Sequence, residues 1–212
     1  MSFVQASVDP RRLRARLARS RRAGVALLAA AVALGLGAAA YAAHFTLAAG
    51  IGGAALVTAI LGVVVLRTES IRLARQLGPA GERAVVRADE SGITLPATGL
   101  VAWSRIELVY VMTTGAGTAR AEDAVLVFVR DGEEYRSAVT TPRTASLVRV
   151  TARASGTTVG MVRTPPGSIF GEGQVLALQN TIAIFAQLHN VPVLRGDEGH
   201  ALPSVVQRVA AG

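Results

Sequence analysis

The stretch that decides the fold is residues 23–66, AGVALLAAAVALGLGAAAYAAHFTLAAGIGGAALVTAILGVVVL, which carries no formal charge and has His44 as its only basic side chain. Its 44 residues are too many for one membrane span, because about 20 helical residues cross a hydrocarbon core of about 30 Å. Two spans fit, at about 24–43 and 50–66, joined by a short link through His44. Apolar residues cover every side of both segments, as surfaces that face lipid or another helix require. The stretch therefore predicts a transmembrane hairpin.

Small residues recur at spacings of four within both predicted spans. Gly35 precedes Ala39, Gly50 precedes Ala54, and Gly53 precedes Val57. Such spacings let two helices approach closely in lipid, where packing drives helix association. We therefore expect these positions to hold the hairpin together.

The composition of the whole chain favours the same class of protein. Hydrophobic residues make up 51% of the 212 residues, charged residues only 17%, and the mean hydropathy is positive, whereas charged residues supply about a quarter of a typical soluble domain. The chain has no Cys and no Lys. Disulfides, thiolate metal sites, cysteine nucleophiles, Walker A lysines and Schiff-base chemistry are thereby excluded.

The net charge of +8 is concentrated beside the apolar stretch. Residues 1–22 hold seven Arg and a single acid, and residues 67–79 hold three Arg and one Glu, whereas twelve Arg balance twelve acidic residues from residue 80 onward. A nucleic-acid-binding surface would need the positive excess on the folded domain, so nucleic acid is not an expected partner. The use of Arg in place of Lys throughout favours a GC-rich bacterial source.

The positions of the arginines predict the topology, because positive residues close to span ends are retained in the cytoplasm. Arg flanks both outer ends of the hairpin and is absent from the link. We expect two spans in the bacterial inner membrane, with the N-terminus and the C-terminal domain both cytoplasmic. One alternative stays open: the Arg-rich start followed by apolar residues and Ala40-Tyr41-Ala42 is also typical of a signal peptide cleaved after Ala42. Even then, the second span would return residue 67 and those beyond it to the cytoplasm.

Short helical extensions are predicted on both sides of the hairpin. Asp9 followed by Pro10 is typical of a helix start, and the residues after it form a short basic helix. We expect its arginines to contact anionic lipid headgroups, at about 1 kcal/mol per Arg near the surface; the simpler alternative is that they fix topology alone. The residues in question are Arg11, Arg12, Arg14, Arg16, Arg19, Arg21 and Arg22. After the second span the helix continues until Gly78-Pro79 ends it.

Beyond residue 80 the sequence changes to short β-type runs separated by turn residues. Strands are predicted near 84–88, 93–97, 100–103, 106–113, 125–130 and 135–139. Asp89-Glu90-Ser91-Gly92 and Asp131-Gly132 are predicted hairpin turns. A helix is then expected from about 142 to 155, a strand over 157–163, an amphipathic helix over 171–189 and a loosely ordered tail after Arg195. Val175, Leu178, Ile182 and Phe185 form the buried stripe of the amphipathic helix, with Leu188 beside them, and Trp103 is a predicted core anchor.

Two segments of this region resemble a known family. Asp89-Glu90-Ser91-Gly92-Ile93, then Gly99 and Val101-Ala102-Trp103-Ser104-Arg105-Ile106, resembles the pattern of bacterial pleckstrin-homology-like domains attached to a two-helix membrane anchor, a family of unknown function. The resemblance implies an α+β fold, in which a transmembrane hairpin is followed by a bent β-sheet or barrel capped by a C-terminal helix. It also implies a binding or scaffolding module. Eukaryotic lipid-binding relatives need basic residues around the first hairpin, whereas Asp89-Glu90 is acidic, so phosphoinositide binding is not expected.

Residue patterns for catalysis or metal binding are weak. The histidines His44, His189 and His200 are too dispersed to form a ligand set, and neither a catalytic residue, a metal site nor a cofactor is expected. Gly171 and Gly173 at a helix start could present backbone N–H groups to an anion, although a merely flexible helix start explains them as well. The loop containing Gly115, Gly117 and Arg120 is the predicted partner loop, because recognition usually resides in loops on a rigid scaffold.

These predictions divide the chain into five segments: a basic cytoplasmic segment (1–23), the hairpin (24–66), a juxtamembrane extension (67–79), a pleckstrin-homology-like domain (80–195) and a tail (196–212). The expected function is that of a noncatalytic membrane protein whose cytoplasmic domain binds a protein partner or a sibling copy at the membrane surface. The alternative is an accessory subunit of a transporter or envelope enzyme complex that acts through its hairpin.

Overall fold

A computed structural model describes residues 3–40, 44–112, 123–139, 142–153, 155–171, 173–196 and 202–211. The fold is α+β, with two long apolar helices and two β-sheets. The chain forms two compact units. One is Arg14–Leu73, and the other combines Met1–Leu13 with Ala74–Gly212.

The two long helices are α1 (Pro10–Ala40) and α2 (Phe45–Leu77), and both are long and apolar enough to cross a membrane. The predicted start is confirmed: Asp9 Oδ1 accepts hydrogen bonds from the backbone N–H groups of Arg11 at 2.8 Å and Arg12 at 3.3 Å. The predicted stop is confirmed as well, because α2 ends where Gly78 takes a left-handed φ of 58°.

The first sheet is antiparallel, in the order β1-β2-β3-β4. Its strands are β1 (Val4–Ser7), β2 (Val85–Asp89), β3 (Gly92–Leu95) and β4 (Gly99–Ala102). The predicted two-residue turn between β2 and β3 is confirmed by the pairing of Asp89 with Gly92. Gly92 is required there, because a Cβ would overlap the carbonyl oxygen of Val101. The edge strand β1 lies in a segment for which no strand was predicted.

The second sheet has the order β7-β8-β6-β5-β9. Its strands are β5 (Ile106–Met112), β6 (Ala124–Arg130), β7 (Arg149–Ala152), β8 (Thr158–Arg163) and β9 (Val193–Gly196). All pairings are antiparallel except that of β9 with β5. Because the strand ladders form two separate sheets, the closed barrel that was one predicted form of this domain is wrong.

Shorter helices complete the domain: α3 (Gly132–Ala138), α4 (Pro142–Ala145), α5 (Gln174–Leu188) and α6 (Leu202–Ala211). The predicted amphipathic helix is confirmed as α5, which packs against β1, β2, β5 and β9 and so contacts both sheets. Leu178, Ile182 and Phe185 of the predicted stripe are buried, whereas Val175 is half-buried and Leu188 is exposed.

The predicted strand at 135–139 and its hairpin turn at Asp131-Gly132 are wrong, because this segment is helix α3. Asp131 adopts a left-handed conformation with φ 52°, and its carbonyl accepts the first helical hydrogen bond from Tyr135 N at 2.9 Å. Gly132 then packs against the backbone of β8 so closely that a Cβ would overlap Gly160 N. Two glutamates in the first turn favour a helix N-terminus, where the helix dipole stabilises negative charge.

Two further predictions are corrected in the C-terminal third. The helix expected over 142–155 is only the short α4, and β-branched residues after it form β7 instead. Gly156, which directly follows the predicted helix, lies in the tight turn between β7 and β8 with φ 83°. The tail is also more ordered than expected, because β9 pairs with β5 and residues 202–211 form α6.

Trp103 is confirmed as a core anchor at the α5 side of the domain. Its side chain is 3% exposed, and its Nε1 donates to the Asp89 carbonyl oxygen at 2.8 Å. The ring lies 6.3 Å from that of Phe185 and is stacked on that of His189 at 5.6 Å. The indole therefore joins the first hairpin to the C-terminal end of α5.

Replacing Phe185 by Ala is expected to lower the free energy of unfolding by about 3–5 kcal/mol, the usual cost of emptying a buried aromatic site. Leu188→Ala is the matched control on the same helix: its side chain is 71% exposed, so a change within about 0.5 kcal/mol is expected. Denaturant unfolding followed by the fluorescence of Trp103, the sole Trp, measures both. Equal losses in the two variants would contradict the assigned orientation of α5.

Candidate membrane interface

The seven N-terminal arginines all lie on α1, but in different environments. Arg16 is half-buried, and the other six are exposed. Arg12 also lies 3.6 Å from the Asp9 carboxylate. The exposed members could contact anionic groups at a membrane surface without displacing packed side chains.

Arg16 joins the two helices of the hairpin. Its Nε lies 2.5 Å from Glu69 Oε1, and the two side chains are only 14% and 21% exposed. A partly buried ion pair is screened less by salt than one in open solvent. Arg16 is therefore committed to a protein carboxylate, and its role differs from that of its exposed neighbours.

Close backbone contact follows the ion pair along the hairpin. Ser20 Oγ donates to the Val65 carbonyl oxygen at 3.1 Å. One helical turn further on, a Cβ at Gly24 would overlap the side chain of Leu66, and a Cβ at Gly62 would lie 3.0 Å from Leu28 Cγ. Each glycine thus packs against a leucine side chain of the opposite helix.

The glycines predicted to hold the hairpin together do not do so. A Cβ added at Gly35, Gly50 or Gly53 would meet no atom within 4 Å. The close approach occurs instead at Gly24 and Gly62. The predicted glycines are wrong because the spacing of small residues alone does not reveal which side of a helix faces its partner.

Large apolar side chains cover the outer surface of the hairpin. Nine of them are between 45% and 69% exposed: Val25, Val32, Leu36, Leu56, Val57, Ile60, Leu61, Val63 and Val64. Soluble monomers rarely expose apolar patches of more than a few hundred Å². The outer surface therefore matches lipid better than water.

The Asp89 carboxylate in the first turn of the domain has its hydrogen-bond and charge partners within the same hairpin. The hydrogen bond from the Ser91 hydroxyl, at 2.5 Å, is the main cause that lowers the pKa of Asp89, and the nearby Arg87 lowers it further. Arg87 also lies over the Phe3 ring at 4.5 Å. This turn thus presents an ionised carboxylate, which disfavours a phosphate ligand.

The predicted anion site at Gly171 and Gly173 has a structural role in the described chain. Gly173 takes a left-handed φ of 76° and precedes α5, so it provides the turn into the helix. A Cβ at Gly171 would lie 3.0 Å from the Gln174 side chain. The side-chain oxygen of Gln174 accepts a hydrogen bond from Ser7 N at 3.0 Å. The start of α5 therefore helps to fix β1.

Other predicted positions are dispersed. The partner-loop residues Gly115, Gly117 and Arg120 lie outside the described residues, as does His200. His44 is exposed, and His189 stacks on Trp103. In the part of the chain that the structure describes, no group of three or more His, Cys, Asp or Glu residues is arranged to hold a metal ion. Burial raises the pKa of Tyr135.

The hairpin contact yields a prediction with a matched control. Gly62→Leu is expected to push the helices apart and to abolish a spontaneous disulfide between cysteines placed at Ser20 and Val65, because its side chain would collide with Leu28. Gly53→Leu enters open space on the same helix and should leave that disulfide unchanged. Electrophoresis without reductant measures the cross-linked fraction. Cross-linking lost in both variants, or in neither, would contradict the contact.

Comparison with protein-family models, with curated proteins and with solved structures found no match for this chain.

Proposed function

We propose that this chain is a noncatalytic membrane protein, anchored in the bacterial inner membrane by a two-span hairpin, with a cytoplasmic binding or scaffolding domain of the pleckstrin-homology-like kind. Its partners in this proposal are anionic lipid headgroups and a protein or a second copy of the chain.

The observation that carries the proposal is the pairing of β1 with β2. Strand β1 precedes the first apolar helix and β2 follows the second, yet Val4 pairs with Ala88 and Ser7 pairs with Val85 in one antiparallel ladder. Both chain segments that lead into the helices therefore belong to one folded sheet. An open sheet, unlike a closed barrel, cannot extend across a bilayer, so this pairing supports a hairpin whose two ends lie on the same side.

The charge distribution supports the cytoplasmic side. Arg19, Arg21 and Arg22 are exposed on α1 just before its apolar part, and Arg67 is exposed on α2 just after its own. The link between the helices has no Arg. Such a bias is what retains short flanks in the cytoplasm. The same exposed arginines would each contribute about 1 kcal/mol of attraction to an anionic membrane surface.

A protein-binding role for the domain is supported by the outer face of α5. Leu176, Ile184 and Leu188 are 62%, 57% and 71% exposed, and at about 100° per residue they fall within about 120° of one another. Leu178, Ile182 and Phe185 lie on the opposite, buried face. An apolar strip on a helix whose other side is already packed is typical of a protein contact.

The alternative, an accessory subunit acting through its hairpin, is supported by the open glycines. Gly35, Gly50 and Gly53 leave space that another transmembrane helix could fill. The two candidates differ in which substitutions release a partner recovered from mild detergent. Ile184→Ser would release a partner bound to the domain, whereas Gly53→Leu would release one bound to the hairpin.

The topology is testable by cysteine labelling, because the chain has no native Cys. A membrane-impermeant maleimide added to intact spheroplasts should label His44→Cys in the link and leave Ser104→Cys in the domain unlabelled. Both positions are exposed, so the difference reports sidedness. After permeabilisation, both should react. Labelling of Ser104→Cys in intact spheroplasts would contradict the cytoplasmic placement.

A further inference from the structure

The C-terminal helix α6 covers one face of the five-stranded sheet. Side chains of β5, β6 and β8 alternate, so that one set faces α6 and forms an apolar cluster with it. The sheet residues of this cluster include Leu108, Tyr110, Met112, Leu126, Phe128 and Val159. From α6, Val205 is buried in the cluster, and Val206 and Val209 pack against it while remaining partly exposed. This face of the sheet therefore forms a shallow apolar groove, and α6 is the short helix that lies in it.

Helix α6 is short, and its contact with the sheet is not completely filled. The helix has ten residues, fewer than the roughly 12–15 that an isolated helix needs to be even marginally stable in water. Its buried side contributes valines, which are poor helix formers. A cavity of about 30 Å³ remains under Val206 and Val209, lined also by Phe128, Val159 and Met161. Because a cavity remains in the interface, the valines of α6 lack some of the packing contacts that a fully filled interface would give them.

One side chain connects α6 to the sheet through polar contacts. Arg153 Nε donates to the Val209 carbonyl oxygen at 2.7 Å, and its Nη2 pairs with the Glu107 carboxylate. Arg153 and Glu107 are 14% and 26% exposed. Arg153 thus acts as a latch between the C-terminal half of α6 and β5.

We propose that the groove under α6 is a helix-docking site that is closed by the chain's own α6 and can instead receive the α6 of a second copy. Exchange preserves each contact made by Val205, Val206, Val209 and Arg153, so the self-closed and exchanged forms share one interface. The α6 sequence is the occupant whose fit the structure shows, which is why the partner is another copy of this chain. The proposal rests on the proposed function, since chains anchored in one membrane meet at high local concentration.

The latch sets the balance between the two forms. A helix tethered to its own groove has an effective concentration in the millimolar range, so the self-closed form predominates while Arg153 holds α6 in place. Weakening the latch lowers the cost of release without altering the groove. The population of exchanged dimers should therefore increase when Arg153 is replaced.

The experiment mixes two full-length copies in one membrane. One copy carries Met161→Cys and a first tag, and the other carries Val206→Cys and a second tag; both residues line the same cavity. A disulfide that unites the two tags after mild oxidation reports α6 of one copy in the groove of the other. The control pair is Ser137→Cys with Gln207→Cys, two exposed positions that measure random collision. A single chain carrying Met161→Cys and Val206→Cys reports the self-closed form.

The expected result is a two-tag product above the collision background, with a several-fold increase when both copies also carry Arg153→Gln. A two-tag product at background level with either residue at position 153, beside complete closure within single chains, would overturn the proposal. An equal increase in the control pair would mean that Arg153→Gln unfolds the domain, and the arm with native Arg153 then decides. If labelling at His44 still shows the predicted sidedness, failure here leaves the membrane anchor intact.

Discussion

The fold depends on one interaction, the antiparallel pairing of β1 with β2 across the whole hairpin. The first strand ends at Ser7 and the second begins at Val85, so the intervening chain must leave the sheet and return to it. Further contacts hold the departing segment in place: Val8 N donates to the Ala84 carbonyl oxygen at 3.2 Å, and Asp9 N donates to that of Ile169 at 2.8 Å. Asp9 then starts α1. The chain segments that lead into α1 and out of α2 thereby belong to one sheet.

Within the hairpin, polar contacts and apolar contacts lie at different positions along the two helices. The ion pair between Arg16 and Glu69 and the hydrogen bond from Ser20 lie nearest the helix ends that lead to the sheet. The glycine-to-leucine contacts follow within the charge-free part. Charges are expensive in hydrocarbon, whereas close packing of small residues remains effective there. The order of these contacts along the helices thus matches the change in environment that membrane insertion would impose.

Some of this architecture could be predicted because its causes are local. A long charge-free run indicates spanning helices, Asp9 and Gly78 mark their limits, and helical periodicity finds α5. Strand β1 escaped prediction because a four-residue strand carries little pattern and its partner lies some 80 residues away in sequence. Helix α3 escaped because the close contact between Gly132 and β8 outweighs a turn-like local sequence. Strand β7 escaped because its pairing with β8 outweighs a helix-like local sequence.

The candidate site was predictable to a similar degree. Counting arginines identified the basic segment, but the pairing of Arg16 with Glu69 joins residues 53 positions apart, which no local pattern reveals. The glycines at the helix contact could not be separated from the open ones, since that choice depends on helix rotation. The covering role of α6 was also not foreseen, because the apolar face that it buries is assembled from strands distant in sequence.

The pairing of β1 with β2 is tested most directly by a disulfide across the hairpin. Gln5 and Arg87 are opposite one another in the ladder and exposed, so cysteines at both positions should form a disulfide in the full-length chain. A protease site in the link then separates the two halves. The halves are expected to stay joined until reductant is added. Cysteines at Gln5 and Thr94, which are separated by β2, are expected to leave them unjoined. Free halves from the first pair without reductant, or equal joining by both pairs, would contradict the pairing of β1 with β2.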